Sequence, residues 1–270
     1  FGLNYNSIKI TSTDTEKVPN TSASAASATT DLNGGAIINA ISKIKSNLNT
    51  FIYDYFNTNS IIKYENENVY FDRRKISFKE LINKAYLHRV SLSSSGFFKT
   101  SKININTKTL KGRPFLYFAY GAAVSEVIVD TLTGENKLLQ VDIIHDVGNS
   151  INKRIDKGQI EGGFIQGLGW LTTEEISWKL DGKLQTHSPS TYKIPTSGET
   201  PFKLNVEIYN RGFNKEDVIN RSKAVGEPPF MLAISSFIAI KDAVYNANEN
   251  KDSSMLIAPA TPENILNSIN

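Results

Sequence analysis

A single carboxylate, Glu227, stands between Gly226 and the pair Pro228-Pro229, at the start of the apolar run Phe230-Met231-Leu232-Ala233-Ile234. Proline is favoured in the first turn of a helix because the N–H it lacks would be unpaired there. Gly226 permits a close backbone approach that a side chain would block. The stiff backbone and apolar neighbours predict a buried carboxyl with a raised pKa, suited to general-base work. A glutamate in this place also serves as a helix cap facing the positive end of the dipole, and by local chemistry alone capping is the simpler reading. Lys223, four residues earlier, biases the carboxylate if the two side chains converge and is an ordinary solvated lysine if they do not.

Two further segments carry groups of chemical interest. Gln159, within Gly158-Gln159-Ile160-Glu161-Gly162, offers both a donor and an acceptor, whereas Glu161 reads as a structural glutamate on a helix. Residues 8–33 are rich in Ser, Thr, Ala and Asn and include Ala25, Ala26, Ser27, Thr29 and Thr30. Such a composition describes a flexible linker, or a loop whose small side chains and backbone N–H groups close around an anion.

The octapeptide Ser222-Lys223-Ala224-Val225-Gly226-Glu227-Pro228-Pro229 resembles the glutamate-bearing motif of the molybdenum hydroxylases, and among them of the xanthine dehydrogenase family. Aldehyde-oxidising relatives usually carry Gly-Glu-Ser at this point. The resemblance runs from about Thr11 to about Asn248. It implies the C-terminal part of a molybdopterin-binding domain, with Ala26, Ser27, Thr29, Thr30 and Gln159 holding the molybdopterin, and Ala25 and Ala26 lining the substrate pocket. It implies that Glu227 is the base that takes a proton from the molybdenum-bound hydroxyl, with hydride passing to the metal centre as hypoxanthine goes to xanthine and xanthine to urate. Electrons would leave through 2Fe-2S centres and FAD to NAD, all on other parts of a longer chain or on partner subunits. A homodimer is implied as well. Arg89 to Ser93 and Pro189 to Pro195 match the same branch and are assigned to scaffold. The competing readings are a related hydroxylase of aldehydes or other N-heterocycles, and a non-catalytic fragment retained for assembly. The residues that select substrate in the family would lie upstream of Phe1.

These groups must be positioned by a fold of the α+β class, with helices packed on mixed or antiparallel sheets. Ile37, Ile41, Ile44, Leu48, Phe51 and Tyr55 recur at helical spacing and predict a helix from about Gly35 to Phe56 with that face in the core. Residues 57–68 are mostly polar and read as a loop, and a short helix is expected around Phe78–Ala85. The runs 117–129 and 138–144 flank a Gly-bearing turn and predict a hairpin. Residues 158–171 follow helical spacing through five glycines, at about 0.5–1 kcal/mol each relative to Ala. Either a backbone or a cofactor approaching closely, or tight packing on a sheet, accounts for them. A strand is expected over Lys203–Tyr209 and a last helix over about Pro229–Asn248, its first half buried and the chain fraying after Asn246. Residues 1–250 read as one portion of the domain, and 251–270 as a tail.

Composition narrows the function classes. Among 270 residues, 30 Lys+Arg against 27 Asp+Glu leave a net charge of +3. No basic stripe with interleaved aromatics marks a nucleic-acid partner, and no apolar run is read as reaching the ~18 residues that cross a membrane. Cysteine is absent, which excludes disulfides, thiolate zinc sites and iron–sulfur ligation within these residues. His88, His145 and His187 lie too far apart for ligand spacing, so each reads as a satisfied core or surface residue, and any metal enters only with an organic cofactor. The N-terminal Phe1-Gly2-Leu3 reads as the interior of a longer chain, and the expected location is cytoplasmic, or peroxisomal in some lineages.

Overall fold

The computed structural model describes residues 1–17, 25, 27–249 and 256–270. They form two compact units, Phe1–Ser101 and Lys102–Asn270, where the sequence reads as one portion up to residue 250.

In the first unit, α1 (Thr29–Phe56) and α2 (Phe78–Leu87) accompany a meander of β1 (Lys63–Glu65), β2 (Asn68–Phe71) and β3 (Arg74–Ser77). Both strand pairings are antiparallel. Its core joins Leu48, Phe51 and Ile52 of α1 to Val69 and Phe71 of β2 and Leu81 and Ala85 of α2. Burying each of the Leu, Ile, Val and Phe side chains among them contributes about 1.5–3 kcal/mol. Only the C-terminal half of α1 meets this core. Leu48 is fully buried, but Ile37 and Tyr55 of the expected core face are 58% and 44% exposed.

Two elements differ from the sequence reading. Helix α1 begins at Thr29, six residues before the expected start, and runs unbroken through Gly34-Gly35, where a Cβ on Gly35 would stand 2.4 Å from the ring of Phe98. The supposed loop 57–68 contains β1 and the start of β2. Their turn places Asn66 and Glu67 at φ 49° and 61°, the two positive angles of a type I′ hairpin. Glutamate is an unusual occupant there, so the turn carries no Asn-Gly signal.

The second unit opens with the small hairpin of β4 (Asn104–Asn106) and β5 (Lys111–Arg113). Glu216 joins Lys102 at 2.5 Å and Arg113 at 2.6 Å. The main sheet orders β6 (Gly121–Val129), β7 (Asn136–His145) and β8 (Lys203–Ile208). As expected, β6 and β7 form a hairpin; β8 adds parallel to β7, which makes the sheet mixed. Helix α3 (Lys153–Thr172) lies within the β7–β8 connection, and Ile160, Phe164 and Leu168 pack with Val141 and Ile143 of β7. The α+β class with mixed and antiparallel sheets therefore holds.

The last apolar run is divided. Pro228–Ala233 forms a 3-10 helix, followed by α4 (Ile234–Ala247). The expected burial of its first half is only partial: Pro229 and Ala233 are buried, but Met231, Ile234 and Ile238 are 54%, 40% and 55% exposed. Contrary to the sequence reading, Pro228–Ala247 is long and apolar enough, by length and composition, to cross a bilayer. The run breaks into two helix types, and its Ala233, Ile240 and Val244 are fully buried within the unit's cores, while only 22% of its most apolar stretch is buried.

The reading of residues 251–270 as a tail that frays after Asn246 does not hold for the described part. Helix α5 (Pro262–Ile269) starts at Thr261, whose hydroxyl accepts from the N–H of Asn264. Leu256, Ala260 and Ile265 complete a core with Ile240 and Val244. A capping threonine followed by proline and an amphipathic run is enough to end the chain in a packed helix.

Candidate functional site

The backbone that carries Glu227 is fixed from both sides. Upstream, Ser222 forms an antiparallel bridge with Gly148, and the Lys223 N–H donates to Val147 O at 2.8 Å. The Ala224 N–H donates to the Tyr117 hydroxyl at 3.0 Å, and the buried Asn214 side chain donates to Ser222 O at 2.9 Å. Downstream, the 3-10 helix lies on α3. A Cβ on Gly163 would stand 2.9 Å from Gly226 O, and one on Gly167 would stand 2.2 Å from Phe230 O. Trp170 and Phe230 complete the contact with ring centroids 5.5 Å apart.

Glu227 is the N-cap residue of this 3-10 helix, and its carbonyl accepts from the N–H of Phe230 at 2.9 Å. It thus occupies the cap position that the simpler reading gave it, although its side chain makes no capping hydrogen bond. The expected burial fails, because the residue is exposed. The apolar packing falls on Pro229 and Ala233, which face α3, and not on the cap position.

Lys223 does not converge on Glu227 as its partner, nor is it solvated. Its ammonium pairs with Asp146 Oδ2 at 2.5 Å, with side chains 7% and 12% exposed. Asp146 Oδ1 accepts from the Gly148 N–H at 2.8 Å. Sequence reasoning missed Asp146, which stands 77 residues away and belongs to no spacing pattern. Beside it, His145 is 1% exposed and its Nδ1 has no hydrogen-bond partner among the described residues. It is therefore not the satisfied core histidine expected. Burial holds its pKa below the ordinary value, with Asp146 pulling it up and Lys223 pushing it further down.

Gln159 is exposed on α3, four residues before Gly163. One helical turn, about 5.4 Å along the axis, thus separates it from the level at which Gly226 meets the helix. Flanking it, Gly158 and Gly162 have nothing within 4 Å of a Cβ position. The five glycines therefore divide: Gly163 and Gly167 admit the 3-10 backbone, Gly169 admits Pro195, and Gly158 and Gly162 keep a strip of helix bare. Glu161 pairs with Lys157 at 3.9 Å on the surface, as a structural glutamate does.

The loop residues belong to the first unit. Ala25 is exposed, and its carbonyl accepts from the Ala28 N–H at 3.2 Å. Ser27 adopts φ 55° in that turn. Thr29 and Thr30 are not loop residues but the exposed first turn of α1, whose N-cap Ala28 supplies no side-chain hydrogen bond. Ala26 lies outside the described residues.

Within the first unit, hydroxyls and helix-start N–H groups that no N-cap side chain satisfies have the chemistry to suit a phosphate. Within the second, an amide on a helix strip bare of side chains has the chemistry to suit the edge of a planar ring. Among the described residues no group of His, Asp and Glu could hold a metal directly.

Comparison with known proteins gives the family of the chain. Residues 1–201 match the sequence profile of the molybdopterin cofactor-binding domain. The chain is 44% identical over 266 residues to a xanthine dehydrogenase/oxidase of Felis catus, covering 96% of this chain and 19% of the relative. It is 42% identical over 275 residues to a xanthine dehydrogenase of Oryza sativa subsp. japonica, covering 98% and 19%. The chain thus spans about a fifth of the length of the curated relatives it matches. A solved Cu,Mo-CO dehydrogenase shares the fold, with a TM-score of 0.74 at 19% identity over 94% of this chain and 31% of its own. On the profile match and these likenesses, the chain belongs to the molybdopterin cofactor-binding domain family.

Proposed function

We propose that the protein to which these residues belong is a molybdenum hydroxylase of purines, taking hypoxanthine to xanthine and xanthine to urate, with Glu227 as its base. The likeness to xanthine dehydrogenases supports the substrate class. The observation that carries the reading is the setting of Glu227: an exposed carboxylate on a backbone pinned by Val147 and Tyr117 on one side and seated on Gly163 and Gly167 on the other.

Molybdopterin with its metal supplies the two-electron redox chemistry when bound. This chain's residues supply placement and proton transfer. Gln159 binds the cofactor through its amide, and Ser27, Thr29 and Thr30 through hydroxyl and backbone donors. Ala25 and Ala26 give a flat substrate room to lie. The overall reaction exchanges a purine C–H bond for a C–O bond with oxygen from water, releasing two electrons and two protons. Glu227 accepts one of those protons on a carboxylate oxygen as the oxygen nucleophile is formed. The 2Fe-2S centres, FAD and NAD that would take up the electrons would be carried outside these Cys-free residues, and the whole protein would be a homodimer.

The test of substrate class is a comparison of xanthine, an aromatic aldehyde and a non-purine N-heterocycle as substrates for the molybdenum-loaded parent protein. Stoichiometric urate from xanthine at the highest kcat/KM is the expected result. Preference for the aldehyde or the other heterocycle overturns the purine reading, and a loaded protein that oxidises none of them overturns the enzymatic one.

A further inference from the structure

Lys223 and Asp146 form an ion pair that is nearly sequestered from water, with side chains 7% and 12% exposed. Every part of the pair is tied to the segment before Glu227 or to the chain opposite it. Asp146 Oδ2 accepts from Lys223, Oδ1 accepts from the Gly148 N–H at 2.8 Å, and its own N–H donates to Tyr120 O at 2.8 Å. The Lys223 ammonium also lies 5.0 Å from the centroid of the Tyr120 ring. Around it, the Lys223 N–H bonds Val147 O and Asn149 N–H bonds Arg221 O. Taking two charges out of water is costly, and a pair of this kind seldom adds stability beyond what apolar packing of the same volume would give. What such a pair does supply is a defined geometry.

We propose that the Lys223–Asp146 pair is a positioning device that holds the Ser222–Gly226 segment, and through it the carboxylate of Glu227, in register for proton transfer. The inference rests on the reading of Glu227 as the base. The segment between the pair and the carboxylate is three residues long. It is fixed at its upstream end by the pair and at its downstream end by the Gly163 contact. Losing the pair leaves that end held only by its backbone hydrogen bonds to Val147 and Tyr117, which frees it to shift, and a displacement of about 1 Å can cost about 100-fold in rate.

The test uses the full-length, cofactor-loaded parent protein at matched molybdenum content, with xanthine as substrate. Lys223→Met is expected to lower kcat by about 100-fold while KM changes by less than about threefold. Amide exchange at Lys223 and Ala224 should speed up by about tenfold or more as their bonds to Val147 and Tyr117 loosen. Because Lys223→Met leaves a buried carboxylate unpaired, the double variant Lys223→Met/Asp146→Asn removes both charges and keeps an oxygen for Gly148. It is expected to fold, to load molybdenum and to remain slow. A double variant within about twofold of the wild-type rate overturns the proposal, as does a rate loss that merely tracks lost molybdenum. Glu227→Ala, assayed beside them, separates the two readings. If that variant is fast, the base assignment fails; if it is slow while the Lys223 variants are fast, the positioning proposal alone fails.

Discussion

The carbonyl oxygen of Gly226 lies 2.9 Å from the point where a side chain on Gly163 would begin. The backbone that presents Glu227 therefore rests directly on α3, and the same helix carries Gln159 one turn away. The small residues Gly163 and Gly167 are what let the backbone that carries the proposed base seat directly on α3.

Replacing Gly167 with alanine is expected to loosen that contact, since the new Cβ would meet the backbone oxygen of Phe230 at 2.2 Å. Overpacking of this kind costs about 1–3 kcal/mol, read as faster amide exchange along the second half of α3 in the parent protein. Gly158→Ala meets nothing within 4 Å and should slow local exchange, by about 0.5–1 kcal/mol of added helix stability. Equal effects at the two positions would contradict the assignment of their roles.

The buried imidazole of His145 gives a pH dependence of definite sign. Burial lowers its folded-state pKa below the unfolded value of 6.5, so the unfolded chain takes the proton first as pH falls. The favourable contribution of neutral His145 is complete above the unfolded value, declines as pH falls from there to the lowered folded value, and then levels off. Local stability of the β7 end, followed by amide exchange from about pH 8 to about pH 5, should fall on the acid side. His145→Leu should flatten that slope, and an unchanged slope would contradict the account.

The start of α3 depends on Asn152, whose Oδ1 accepts from the N–H groups of Arg154 at 3.1 Å and Ile155 at 3.2 Å. Asn152→Ala removes this cap at a cost of about 1 kcal/mol. Exchange should accelerate in the first turn of α3 and spread toward Gln159, whereas Asn152→Ser should preserve most of the protection.

Elements with a strong period and a local stop signal were legible in the sequence. The β6–β7 hairpin, β8 and α3 occur where alternation or helical spacing places them. Elements set by a distant contact were not. The start of α1 was hidden because Gly34-Gly35 resembles a break and its reason is the ring of Phe98, more than 60 residues on. The packed α5 was obscured by the polar run before it, although Thr261-Pro262 announces a helix start. At the site, Glu227 and Gln159 were visible through a motif, but the partner of Lys223 was not. An ion pair between residues 77 positions apart leaves no mark in local sequence, and only the fold brings Asp146 to it.

The most direct measurement is urate formation from xanthine by the molybdenum-loaded parent protein, wild type against Glu227→Ala at matched molybdenum content. Loss of a general base removes about 10²–10⁴-fold, so the account predicts a kcat/KM lower by at least about 100-fold with molybdenum retained. A Glu227→Ala protein that forms urate at the wild-type rate would contradict the assignment of Glu227 as the base.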